Sequence, residues 1–446
     1  MIKKHLSGYV ILILLFSSNH AMSASDKDIN TLRSEIQNMK QLYEGKIAEL
    51  ESKLDKVKEN QDKSIAITNS TGKRKALGKT FNPSIGLILN GKYNQFSSGS
   101  REIAGFAVGH EGERSREGFT VDHTEFNFSA SIDDKFFGSI TSAIAEHEGK
   151  TETELEEAFI QTLPGFGLPN GMSIKAGRAF WTLGYLNEHH SHTDDFADRP
   201  LPYRIFLNEG YNDDGVQISY VLPTDLYVEV GAGGFRGDDF PFGSAAETGI
   251  GAWSAFGRVG GDISNNQSWR LGASIVSGEA DGSRTSNEDL LTYTGDTDLY
   301  VADVRYTYAP TGNGREKELI LQGEYFSREE DGIYADSEAS TGNVIFDNSS
   351  SGWYGQAVYK FNPRWRLGAR YSQMNPANVP SGLVGSMLDA NGHDPKAYSV
   401  MVDWTNSEFS RVRFQYNQEE LTEGIDDSQF TIQYVMSFGA HAAHKY

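Results

Sequence analysis

The chain has no cysteine. Disulfides, thiolate metal sites, iron–sulfur ligation and cysteine nucleophiles are thereby excluded. It also lacks an apolar run long enough to cross a bilayer as a helix, which takes about 20 residues. The one apolar stretch, 9–16, is too short. Basic residues are in deficit, with 40 Lys and Arg against 61 Asp and Glu and a formal charge of −21. That balance argues against a nucleic-acid partner, because neutralising phosphates takes clustered Lys and Arg. Catalytic signatures are missing too: no GxSxG, HExxH, Walker A loop or EF-hand loop occurs, and no enzyme is expected. None of these absences excludes a transmembrane β-barrel. There, lumen-facing and lipid-facing residues alternate, and the average composition is polar.

What is present begins with a processing signal. Lys3 and Lys4 precede the apolar stretch, and Ala21-Met22-Ser23 follows as a small-x-small site. Residues 1–23 therefore read as a secretory signal peptide. Over 26–64, apolar residues fall at Ile29, Leu32, Ile36, Met39, Tyr43, Ile47, Leu50, Leu54 and Val57. Steps of three and four, with one stutter near Tyr43, predict a self-associating coiled coil; a lone amphipathic helix on another domain is the alternative. Residues 65–80 have no sustained period and read as a linker.

From residue 81 the period changes to two. About sixteen short segments, rich in aromatic and β-branched residues, are bounded by turn residues. They are 84–96, 124–132, 137–145, 154–163, 172–180, 215–222, 226–235, 253–263, 269–278, 299–308, 318–326, 352–361, 365–374, 398–405, 411–418 and 430–438. Their connections alternate between short (133–135, 223–225, 264–268, 362–364, 406–409) and long (183–213, 236–252, 279–297, 327–351, 375–397). Outer-membrane barrels sort short periplasmic turns from long extracellular loops in this way. The fold class expected over 81–446 is an all-β, sixteen-stranded antiparallel transmembrane barrel. Its location is the bacterial outer membrane, with the coiled coil in the periplasm.

Alternation also assigns faces. Arg366 and Arg370 oppose Trp365, Leu367 and Tyr371; Arg411 and Arg413 oppose Val412, Phe414 and Tyr416. Lipid solvates guanidinium poorly, so the arginine faces should line a water-filled lumen. Lys175, Glu229, Arg270, Asp303, Arg305, Gln322, Glu324 and Asp403 are placed inward by the same rule. Five of the Trp residues (Trp253, Trp269, Trp353, Trp365, Trp404) fall at or near strand ends, as interface belts require. Tyr446 ends the chain after an alternating run, like a barrel assembly signal.

One connection stands out. NEHHSHTDDFADRPLPYR holds Glu188, His189, His190, His192, Asp194, Asp195 and Asp198. Imidazole and carboxylate at close spacing suit a divalent metal such as zinc. The metal candidates are His189, His190, His192, Asp194 and Asp195; a solvated polar loop is the alternative. His441 and His444 form a second pair near the C-terminus. The acid-rich connections 279–297 and 327–351 would focus cations at the mouth or bridge lipopolysaccharide through divalent ions.

The plan resembles outer-membrane porins of the phosphate-selective O and P type. Locally the resemblance rests on KAGRAFW (175–181), FADRP (196–200) and DDGVQISY (213–220). It implies a sixteen-stranded homotrimer whose connection 183–213 folds inward as the constriction, facing lumen Arg and Lys. Lys175, Arg178, Asp198 and Arg199 join Arg270, Asp303, Arg305, Glu324, Arg366, Arg370, Arg411 and Arg413 as constriction candidates. Here lumen cations are interleaved with carboxylates, so phosphate selectivity is not expected. The function expected is passive diffusion of ions and small hydrophilic solutes, with no cofactor. Divalent-metal uptake through the His-rich loop, with the metal as solute, is the alternative; a coiled-coil tether anchored by the barrel is a third. Expected partners are outer-membrane lipid and lipopolysaccharide, the barrel-assembly machinery and two further copies.

Overall fold

Hydrogen-bond closure between the first and last strands is what makes this sheet a barrel. In the computed structural model, which describes residues 83–147, 150–243, 249–283 and 290–439, β1 (Ser84–Phe96) pairs antiparallel with β16 (Ile425–Gly439). Between them run β2 (Gly118–Ser131), β3 (Phe136–His147), β4 (Lys150–Thr162), β5 (Met172–Phe180), β6 (Asn212–Val221), β7 (Tyr227–Phe235) and β8 (Ala252–Ser264). Next come β9 (Gln267–Ser283), β10 (Leu291–Tyr308), β11 (Glu318–Asp336), β12 (Val344–Asn362), β13 (Trp365–Asn375), β14 (Lys396–Ser407) and β15 (Ser410–Thr422). Each strand pairs with its sequence neighbours, and the sheet has no free edge. The chain divides into two units, Met1–Thr80 and Phe81–Tyr446. The signal peptide, coiled coil and linker lie outside the described residues, as do His441, His444 and Tyr446.

Burial inverts the soluble pattern. Phe126, Phe128, Val216, Ile218, Leu271, Val304, Leu367, Val400, Phe414 and Tyr434 are exposed, while Glu125, Asn127, Gln217, Gln322, Asp403, Gln415 and Gln433 are buried. A period-two strand with apolar residues outward and polar residues inward is built for lipid outside and a polar lumen.

All sixteen segments are strands, but four extend well past their expected ends. β9 to β12 continue into the runs 279–297 and 327–351, leaving connections of only 284–290 and 337–343. The acid-rich extracellular loops expected there are mostly strand. The cause is a reversal of polarity along one strand. On β11 the outward face runs Leu321, Tyr325, then Glu329 and Asp331, leaving the apolar belt. The inward face changes oppositely, to Tyr334 on β11, Tyr293 on β10 and Phe346 on β12. These pack with Leu383 and Leu388 of the β13–β14 connection. Tyr293 and Tyr334 rings lie 4.5 Å apart, and Tyr334 and Phe346 meet edge-on at 5.2 Å. Above the belt the barrel carries a layer of buried aromatic rings inside, and acidic side chains join its outer face.

Candidate constriction in the barrel lumen

The connection between β5 and β6 folds into the lumen and is the best-packed part of the interior. Trp181, Leu183, Leu201, Tyr203, Ile205, Phe206, Leu207 and Tyr211 are all buried. They pack with Val276, Leu299, Phe326, Tyr354 and Met374 from the far wall, and with Ile103 and Phe106 from the β1–β2 connection. Its one α-helix, α1 (Leu201–Leu207), has Pro202 in its first turn and ends at Asn208 with φ 48°. Proline costs no hydrogen bond there, and asparagine tolerates the left-handed stop. Every residue of α1 is buried, as suits a helix surrounded by protein.

Two polar side chains shape this loop. Asn187 closes its neck: Nδ2 donates to the Trp181 carbonyl (2.7 Å) and the Tyr211 carbonyl (2.9 Å), and Oδ1 accepts from the Tyr211 amide (2.7 Å). Glu324 of β11 holds its turn from the opposite wall. That carboxylate accepts from the Tyr185 amide (2.9 Å), the Leu186 amide (3.2 Å), the Tyr203 hydroxyl (3.0 Å) and the Tyr354 hydroxyl (2.5 Å). Gly184 permits the approach. At φ 67° a side chain is disfavoured, and a Cβ there would overlap the Glu324 carboxylate.

The lumen arginines meet this loop rung by rung. Glu188 pairs with Arg258 at 2.5 Å, Asp195 with Arg366 at 2.7 Å and Asp198 with Arg370 at 2.8 Å. Arg270 and Arg305 lie over the Tyr185 ring, 4.9 and 4.5 Å from its centroid. Arg411 donates to the His192 carbonyl and Arg413 to the Asp194 carbonyl, both at 2.6 Å. Asp403 takes Arg366 at 2.5 Å, with Arg413 at 3.8 Å. Asp303 pairs with Arg270 at 3.4 Å, and Lys175 sits 4.3 Å over the Phe159 ring. Arg199 is buried within the loop on Asp194 at 3.1 Å.

Arg178 is placed differently from the other candidates. It pairs with Asp214 of β6 at 2.8 Å and lines a smaller cavity, of about 300 Å³, with His190, Arg199 and Glu209 of the loop.

The metal candidates are divided as well. His190 and His192 converge on Glu125 of β2. His189 instead stacks on Tyr185, with its Nδ1 2.9 Å from the Tyr185 carbonyl. Asp194 and Asp195 serve Arg199 and Arg366. Successive residues of this irregular segment point to different walls, so closeness in sequence does not gather them. Glu324 is among the constriction candidates and does hold the loop; Glu125 and Asn187 carry no such signal in the sequence, because their role depends on pairings between separate elements.

With the loop against β8–β15, a cavity of about 790 Å³ remains beside β1 and β2. Its lining includes Lys92, Asp122, His123, Arg114, Arg204 and Glu209, both signs interleaved, and Lys92 pairs with Asp122 at 2.5 Å. Burial sets the loop titrations. It pushes the Asp194 carboxyl up to about 6 despite Arg199, and the His189 imidazole down to about 4. On the β1–β2 connection, burial and then the surrounding Glu154, Glu209 and Glu156 push Glu111 up to about 7, against the pull of His123. A carboxyl raised in the folded state favours folding as pH falls through its folded value, because the folded chain then binds more protons. Between pH 8 and 6.5 the barrel should gain resistance to thermal unfolding, and Glu111→Gln should reduce that gain. Tracking the heat-shifted electrophoretic band at several pH values checks it. His189, lowered by burial, acts in the opposite sense only below about pH 6.5.

No protein-family model matches the chain. An uncharacterized protein of Aquifex aeolicus (strain VF5) is 28% identical over 396 residues, covering 82% of this chain and 81% of its own length. Among solved structures, the outer membrane channel DcaP of Acinetobacter baumannii superimposes with a TM-score of 0.51 at 12% identity, over 80% of this chain and 97% of its own. A loop L8 deletion mutant of OmpT, an outer membrane protein of Vibrio cholerae, gives 0.50 at 14% identity, over 80% and 99%. The likeness is one of fold: a closed sixteen-stranded barrel of the outer-membrane type.

Proposed function

We propose that this chain is a bacterial outer-membrane channel for passive diffusion of ions and small hydrophilic solutes. The observation that carries this reading is a loop folded inside a closed, polar-lumened barrel, leaving a cavity beside β1 and β2. A channel needs a polar lining and a constriction whose width and charge select what passes. The solved channel DcaP, similar in fold, is in keeping with it.

The lining further supports weak ion selectivity. Most lumen arginines are matched by loop or wall carboxylates, so no ring of one sign faces the passage. In this reading Arg366, Arg370, Arg411 and Arg413 anchor the constriction rather than attract anions, and phosphate selectivity is not part of it. The signal peptide exports the chain, the coiled coil stands in the periplasm, and lipid and lipopolysaccharide surround the barrel after insertion by the assembly machinery. Three copies of the chain associate in the membrane. Reversal potentials of the refolded protein in asymmetric KCl test the selectivity. Values close to zero are expected, and a potential approaching the Nernst limit of either ion would refute the balanced lining.

A further inference from the structure

The chemistry left over by the channel reading sits where the loop meets β2 and β4. His190 Nε2 lies 3.1 Å from the Glu157 carboxylate, placing the imidazole proton on Nε2 as donor. The lone pair of Nδ1 then faces outward from the ring. It meets Glu125 Oε2 at 3.2 Å and Glu156 Oε2 at 3.3 Å. Three acceptors thus converge on one small space. Glu125 is 1% exposed, and its Oε2 takes no hydrogen bond. Its other oxygen lies 2.7 Å from His192 Nδ1. Ligand atoms of Glu125, His190 and His192 all fall within 4.8 Å of one another. Tetrahedral zinc with bonds near 2.0–2.1 Å separates its ligands by roughly 3.3 Å, close to the two Nδ1–oxygen separations at His190.

Local sequence explains the convergence. Thr141 pairs with Glu157 and Ser142 with Leu155, so Glu156 is the extra residue of a β-bulge. A bulge re-aims side chains, and here two consecutive glutamates reach the same imidazole. Glu157 then has the role of an outer carboxylate that fixes a ligating histidine's tautomer and orientation.

We propose that Glu125, His190 and His192, with Glu156 as a further oxygen donor, bind one divalent transition-metal ion of the zinc class. The ion joins the constriction loop to the wall at β2 and β4. It is a structural staple, not transported cargo. Mixed nitrogen and oxygen donors favour zinc over calcium or magnesium, which prefer oxygen alone.

The test is equilibrium binding of ZnCl2 to the detergent-purified, folded full chain, with bound metal counted after desalting. One zinc per chain is expected, lost at least tenfold in affinity in both Glu125→Gln and His190→Gln. It should be retained in His189→Ala, whose ring is elsewhere, and calcium should not compete. Each variant is first shown to be folded by its heat-shifted band. Should Glu125→Gln not fold, His192→Gln takes its place. Absence of zinc binding by the wild-type chain would overturn the site and leave two imidazolium–carboxylate pairs. So would binding that survives both substitutions, or that is lost only in His123→Gln, which removes the separate Glu111–His123–Glu154 group. None of these outcomes depends on conduction, so the channel reading stands or falls apart from them.

Discussion

Replacing Glu324 with alanine should free the constriction loop and raise single-channel conductance while leaving the barrel folded. This buried carboxylate accepts two loop amides and two tyrosine hydroxyls. Net hydrogen bonds of this kind are worth about 0.5–1.5 kcal/mol each and do not add fully, so about 3–4 kcal/mol of loop docking is at stake. At about 1.4 kcal/mol per factor of ten, the undocked population rises by about two to three orders of magnitude. Larger and noisier open-channel currents, with faster proteolysis within 186–207, are the expected record. Tyr203→Phe removes one hydroxyl from the same acceptor and should cost only about 1 kcal/mol. Unchanged conductance in Glu324→Ala would mean that apolar packing of α1 alone holds the loop.

Asp403→Ala should be the most damaging single change to the barrel wall. Asp403 is fully buried between Arg366 and Arg413, and Arg411 donates to the loop nearby. Its removal leaves buried guanidinium charge without its closest anion, a loss of about 3–5 kcal/mol. The refolded variant should unfold at clearly lower urea or temperature than wild type. Removing charge from both sides, as Asp403→Asn with Arg413→Gln, should cost less than the two single changes summed. A strictly additive double-mutant cycle would show that the two side chains do not interact.

The barrel was legible because a lipid-facing strand must alternate, and that constraint acts on every second residue. It placed sixteen strands and set the inward parity of Arg366, Arg370, Arg411 and Arg413. The same rule failed where its cause ended. Above the belt the outward face of β11 carries Glu329 and Asp331, and the charge pattern resembled a loop although the backbone continued its ladder. The resemblance implies the loop's inward fold and names lumen arginines and Glu324 as constriction residues, but not which loop residue each of them meets. Glu125, Glu156 and Glu324 lie on strands β2, β4 and β11, and only barrel closure brings them to His190 and Tyr203.

The role proposed for the segment between β5 and β6 is constriction of an open channel. It is tested most directly by planar-bilayer recording of the refolded chain beside a variant in which 186–207 is replaced by a short Gly-Ser linker. Ohmic steps are expected from the wild-type chain and severalfold larger ones from the variant, because the linker empties the lumen beside β8–β15. Absence of steps from the folded wild-type chain, or equal step size in the two, would contradict it.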